Sequence, residues 1–134
     1  MPGLGLLRHG ERGQSLAEFA VISFVLMLII LGIVDFSRAV YARSIIASAA
    51  REGARYGSTH PTDTANIEKA ARALVDGLDM SRLQVTVARP DALHVQVTVT
   101  YTFEPASALI SQYITGSPGG GILLTSRSLM RTES

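Results

Sequence analysis

With 134 residues, 47% of them hydrophobic, the chain has room for one small domain and an extended segment. Twelve Lys and Arg against eleven Asp and Glu leave a formal net charge of +1, which offers no electrostatic footprint for nucleic acid. The absence of cysteine excludes disulfide staples and thiolate chemistry.

The mean hydropathy of +0.28 is high for a soluble protein, and the excess is concentrated near the start of the chain. Residues 1–13 (MPGLGLLRHGERG) are glycine-rich and carry Arg8, Glu11 and Arg12. Residues 14–57 are predicted to form one long helix, about 66 Å if continuous at ~1.5 Å per residue. Phe19 to Val34 contains no charge, an amphipathic section from Asp35 to Tyr56 follows, and Gly57, Ser58 and His60-Pro61 supply stop signals. From Thr64 to Leu78 a short helix is expected, with Ile67, Ala70, Ala71, Leu74, Val75 and Leu78 on one face and Asp63, Thr64 or Asn66 at its cap.

The rest reads as β structure. Leu83, Val85 and Val87 alternate with Gln84, Thr86 and Ala88, and Pro90-Asp91 signals a turn. Leu93, Val95, Val97, Val99, Tyr101 and Phe103 then alternate with His94, Gln96, Thr98, Thr100 and Thr102, the strongest strand pattern in the chain. Ala106 to Ile114 is a helical or irregular connection, Gly116 to Gly121 (GSPGGG) a flexible loop, and Ile122 to Met130 a third strand. The expected fold class is α+β. A long N-terminal helix, transmembrane then amphipathic, carries a small domain of one helix and about three antiparallel strands. The expected boundaries are 1–13, 14–57 and 58–134. In the last segment Lys69, Arg72, Arg82, Arg89, Arg127 and Arg131 nearly balance Asp63, Glu68, Asp76, Asp79, Asp91, Glu104 and Glu133. A domain this small without disulfides depends on packing, or on neighbouring subunits, for its stability.

The apolar run spans about 24 Å of helix, slightly short of a hydrocarbon core of ~30 Å; Gln14–Glu18 and Asp35–Phe36 bring it close. A domain of this size could not enclose FAVISFVLMLIILGIV on all sides, so a membrane-inserting segment is expected. A cleaved signal peptide fits less well. Ala47-Ser48-Ala49 has the small-x-small pattern, but it lies well beyond the run, past Asp35, Arg38 and Arg43. Counting basic residues (Arg8 and Arg12 before the run, Arg38, Arg43 and Arg51 after it) would put the C-terminal side in the cytoplasm. The motif at the head of the helix argues the reverse.

Arg12-Gly13-Gln14-Ser15-Leu16-Ala17-Glu18-Phe19 sets a glycine five residues before a glutamate, directly ahead of the apolar run. It resembles the prepilin peptidase site of type IV pilins, in the glycine–x4–glutamate–aromatic form of tight-adherence pilins. The resemblance implies a cytoplasmic cut between Gly13 and Gln14, with Glu18 fifth in the mature chain. Glycine suits an extended backbone in a protease cleft. A carboxylate heading an apolar helix costs free energy unless it is paired or reaches the interface. Glu18 can snorkel to the headgroups and favour the helix N-terminus. The resemblance also implies that it pairs with the new amine of Gln14 in an adjacent pilin, which would set register during assembly.

After the span, Gly32-Ile33-Val34-Asp35-Phe36-Ser37-Arg38-Ala39 and Ala49-Ala50-Arg51-Glu52-Gly53-Ala54-Arg55-Tyr56-Gly57 resemble the TadE-like family, minor pilins or pseudopilins of tight-adherence systems. The likeness covers about residues 12 to 57. It implies an inner-membrane origin, a cytoplasmic N-terminus, an exported C-terminal domain, and as partners a prepilin peptidase, other pilins, the inner-membrane assembly platform and the lipid bilayer.

Phe36, Ala39, Val40, Ile46, Ala47, Ala50 and Ala54 read as one helical face, and Ala47, Ala50, Gly53, Ala54 and Gly57 make its second half shallow. Small residues permit close helix approach. Either the domain's own sheet or the helices of other pilins would fill that space. Asp35–Arg38 and Glu52–Arg55 are spaced for modest surface pairs. His9, His60 and His94 have no metal-ligand spacing, and no nucleophile elbow or phosphate-binding loop is present. No cofactor is expected, and the chain reads as a non-catalytic component of a tight-adherence pilus or related secretion apparatus. The alternative is an uncleaved, signal-anchored envelope protein whose small β domain binds a ligand or partner.

Overall fold

A computed structural model describes residues 8–117 and 120–133. Residues 1–7 of the expected leader, and Pro118 and Gly119 of the glycine-rich loop, lie outside the described set. The elements are α1 (Arg8–Thr59), α2 (Thr64–Ala73), a 3₁₀ turn (Met80–Arg82), β1 (Leu83–Asp91), β2 (His94–Phe103), α3 (Ala108–Thr115) and β3 (Ile122–Arg131). The α+β architecture expected from the sequence is present: a long apolar N-terminal helix and a small three-stranded antiparallel domain. The chain divides into two compact units, Met1–Val34 and Asp35–Ser134.

In the first unit α1 exposes its apolar residues around its whole circumference, Phe19, Ile22, Met27 and Ile30 among them. A helix apolar on every side belongs in the core of a large protein or in a membrane. This helix is long and apolar enough to cross one. Among the described residues it already takes in Arg8–Gly13, ahead of the expected start at Gln14, since a helix nucleated by the apolar segment extends at little cost through its flanking turn.

The second unit is built on the far end of α1. Ala42, Ile46, Ala49, Ala50 and Ala54 are buried against the inner face of the sheet, to which β2 contributes Val95, Val97, Val99, Tyr101 and Phe103. Strand order is β1-β2-β3, so the most apolar strand is the central one. Its register pairs Val99 with Val85 and Ser126, and Val97 with Val87 and Ser128. The alternate residues Thr98 and Thr100 face the solvent side, opposite Thr86 and Gln84 on β1 and Arg127 and Thr125 on β3. α2 packs beside β1 and buries Ile67 and Ala71. At the C-terminus of α1, Glu133 N–H donates to Ser58 C=O at 2.8 Å, satisfying one of the carbonyls that a helix end leaves open.

Several sequence expectations shift. Of the face read from Phe36 to Ala54, Phe36 and Val40 are exposed and not covered by the sheet, and the part that packs runs through Ala42, Ile46 and Ala49. α2 ends at Ala73 rather than Leu78: Val75 N–H bonds back to Arg72 C=O and Gly77 adopts a left-handed φ of 74°. The reversal buries Val75 and leaves Leu74 outside. β1 runs through Pro90, which an edge strand permits because no ladder bond is lost, and its register slips between Ala88 and Asp91. The turn therefore falls at Ala92–Leu93, and Leu93 is exposed rather than inward.

Two predictions follow from this packing. A Cβ at Gly57 would stand 2.7 Å from Val95 Cγ1 and 3.1 Å from Ile67 Cδ1; at Gly53 it would meet Ala71 Cβ at 3.0 Å and Val97 Cγ1 at 3.1 Å. Alanine normally gains ~1 kcal/mol over glycine inside a helix, whereas overpacking a core costs about 1–3 kcal/mol. Gly57→Ala should therefore lower stability by about 1 kcal/mol, and Gly57→Val by more, in thermal unfolding of the detergent-solubilised chain. An unchanged or raised midpoint would show that helix and sheet are not in close contact there.

The second concerns acid. Hydrogen bonds from the side chain and then the backbone of Asn66 hold Asp63 below the ordinary aspartate value, and those of Ser81 do the same for Asp79. His94, and then Leu93 N–H, lower Asp91. Depressed carboxyls contribute stability that is complete above the unfolded value near pH ~4 and is lost as pH falls through the folded value. The unfolding midpoint should be flat from neutral pH to about 5 and decline below about 4. Asp79→Asn with Asp91→Asn should decline less steeply, and an identical slope would contradict the assignment.

Candidate functional site

The residues at the head of α1 are open. Gly13 has no heavy atom within 4 Å of the position a Cβ would take, beyond its chain neighbours and the local helix backbone. Gln14 and Glu18 lie one turn apart and both are exposed, and Gln14 Nε2 donates to Glu18 Oε1 at 3.3 Å. Phe19 is 69% exposed. All four residues lie on α1, so the Gly13–Gln14 peptide is helical. A protease that needs extended backbone must unwind it locally. Gly10 and Gly13 make that easier, since glycine weakens a helix by about 0.5–1 kcal/mol relative to alanine.

The small residues further along have partners within the second unit. Ala50 and Ala54 are fully buried, Gly53 faces Ala71 and Val97, and Gly57 faces Val95 and Ile67. Ala47 is half-buried. Glu52, on the outer side, accepts from Arg55 Nε at 2.9 Å, and that hydrogen bond holds its carboxyl below the usual range.

Asp35 is the residue whose structural role pattern reading undervalued. Taken from sequence as half of a surface pair with Arg38, it is 5% exposed. Its Oδ1 accepts from Ala106 N–H at 2.8 Å and its Oδ2 from Ser107 N–H at 3.1 Å. Arg38 Nη1 adds a third contact at 3.2 Å while its guanidinium lies 5.4 Å from the Phe103 ring centroid. The carboxylate thus holds the loop that leads into α3, where Ser107 C=O accepts the N–H of Ser111. One signal was available: a carboxylate directly after an apolar run costs free energy unless it is paired. Its partners sit about seventy residues away, where no local pattern reveals them.

A groove beside Arg38 is lined by Tyr41, Gly77, Tyr101, Phe103 and Glu104. Its charges pair off, Arg38 with Asp35 and Glu104 with Arg82 at 3.0 Å. His60 stacks on Tyr56 with ring centroids 4.7 Å apart, and His94 Nδ1 stands 2.8 Å from Asp91. Among the described residues no group of three or more His, Asp or Glu is disposed to hold a metal ion.

This is the geometry of a small α+β domain carried on an apolar helix that fits a single-pass membrane anchor. A family model described as TadE-like protein matches residues 13–55, so the resemblance read from the sequence holds over that segment. That match suggests a protein associated with tight-adherence (Tad) pili. No curated protein and no solved structure matches the chain.

Removing the Asp35 carboxylate strands two backbone donors. Asp35→Ala should cost about 2–4 kcal/mol and speed amide exchange at Ala106 and Ser107 more than in the sheet. Unchanged exchange at those two amides would show that the carboxylate does not hold the loop.

Proposed function

We propose that the chain is a minor pilin or pseudopilin, a non-catalytic structural and assembly component of a tight-adherence pilus or a related secretion apparatus. The observation that carries this reading is where the family match begins. It starts at Gly13 and takes in Glu18, Phe19, the whole apolar run and the small-residue section. The proposed sequence of events is physical at each step. A prepilin peptidase cuts between Gly13 and Gln14 on the cytoplasmic side of the inner membrane. The cut removes the Arg8, Glu11 and Arg12 charges and leaves a new amine at Gln14. Glu18 then offers a carboxylate in a low-dielectric setting where an amine from a neighbouring pilin is a strong partner. The exposed apolar surface of α1 is free for lateral packing with other pilins and with the inner-membrane assembly platform.

A domain of about a hundred residues beyond the span favours a minor component over a bulk subunit, since in this class the major pilins resemble the helix alone. With the N-terminus cytoplasmic, the domain is exported, and the protein either stays in the inner membrane or enters the pilus. One observation favours the signal-anchored alternative: the Gly13–Gln14 peptide lies within α1 and is not presented as an extended strand.

Two variants in the native host separate these readings. Gly13→Ala and Glu18→Ala should both leave membrane insertion intact. The first should accumulate the longer, unprocessed chain; the second should be processed yet fail to support normal piliation. Wild-type pilus numbers in both variants would contradict a role in assembly.

A further inference from the structure

α3 leaves large apolar side chains exposed to solvent. Its sequence, ALISQYIT, contains no charge. Among its described side chains Ser111 is buried, at 1% exposed, as is Ser107 just ahead of the helix, at 8%. Its outward positions are Leu109, Tyr113 and Ile114, exposed by 59%, 96% and 61%. A surface helix ordinarily buries its apolar stripe and turns charged side chains outward. Here Ser111 is covered while Leu109, Tyr113 and Ile114 stand exposed. The free-energy cost of that arrangement in water, about 25 cal/mol for each Å² of apolar surface left wet, disappears if the outward face meets hydrocarbon.

The entry to α3 is tied to the residue that follows the apolar run. Its entry loop is held by the Asp35 carboxylate through Ala106 and Ser107 N–H. Asp35 is the first residue after the apolar run, which ends at Val34. That run falls short of a full hydrocarbon span, so residue 35 comes level with the edge of the bilayer. The loop that leads into α3 is therefore hydrogen-bonded to the residue at which the chain leaves the lipid. Phe36, one position on, is 70% exposed and continues the apolar surface. Tyr113 has the amphipathic ring found where hydrocarbon gives way to headgroups. Asp35 is tolerable at this depth because two backbone amides and Arg38 satisfy it.

We propose that α3 is an interfacial helix that lies on the bilayer, with Leu109, Tyr113 and Ile114 seated among the upper acyl chains and the Asp35 clamp fixing its depth. The domain would then have a second lipid contact besides the span. This inference needs α1 to be inserted in a membrane but is independent of cleavage at Gly13.

Because the chain has no tryptophan, single-tryptophan variants report one site each. The full-length chain would be reconstituted in phosphatidylcholine vesicles whose lipids are brominated either near the top or deep in the acyl chains. Phe24→Trp, in the apolar run, reports insertion, and Thr98→Trp, on the outer sheet face, reports solvent. Tyr113→Trp should lose most of its emission to the shallow bromines and less to the deep ones, with Phe24→Trp strongly quenched and Thr98→Trp unaffected. Emission from Tyr113→Trp that is as insensitive as that of Thr98→Trp would overturn the proposal. So would a blue-shifted emission without quenching, which would place another protein over α3. Loss of quenching in Phe24→Trp would remove the span itself, and the interfacial helix with it.

Discussion

The close approach of α1 to the sheet at Gly53 and Gly57 is the constraint on which the folded unit depends. A domain of this size has few large side chains to enclose, and it solves the problem by borrowing one wall from the helix that anchors it. With alanines and glycines along that wall, the valines of β2 and the side chains of α2 come almost to the helix backbone. Much of the core is therefore made of small residues packed tightly, where dispersion contacts and the exclusion of water matter more than the size of any one side chain. No disulfide is needed, because the helix end, the last strand and α2 converge on this wall, with Glu133 closing against Ser58.

At the other end of the same wall Asp35 does a different job. Here the helix meets the end of the apolar run, and packing alone would leave the loop before α3 unsupported. A buried carboxylate between two backbone amides and a guanidinium ties that loop down. Glycine contact at one end and carboxylate clamp at the other give the helix two attachments to the domain.

Much of this was legible in the sequence for physical reasons. Strict alternation from Val95 to Phe103 identified the central strand because one face is wet and the other dry. The apolar run and its glycine–glutamate header marked the segment that the family match later covered. What misled was local reasoning about surfaces. Phe36 and Val40 look like core residues by composition, yet they lie off the face that the sheet requires. Pro90-Asp91 carries a turn signal, but an edge strand tolerates proline and the chain turns two residues later. Asp35 and α3 were opaque because their meaning is tertiary. An i, i+3 spacing to Arg38 explained the aspartate well enough to conceal its partners at Ala106 and Ser107, and the exposure of Leu109, Tyr113 and Ile114 on α3 appears only once burial is known.

The functional account turns on whether the exposed, glycine-containing head of α1 is a processing site. The most direct measurement is the intact mass and N-terminal sequence of the protein extracted from the membranes of its native host. A mature chain that begins at Gln14 is the result the account predicts, and it would also fix the N-terminus on the cytoplasmic side against the count of basic residues. A chain that still carries residues 1–13 would contradict it and leave an anchored domain whose partner lies elsewhere.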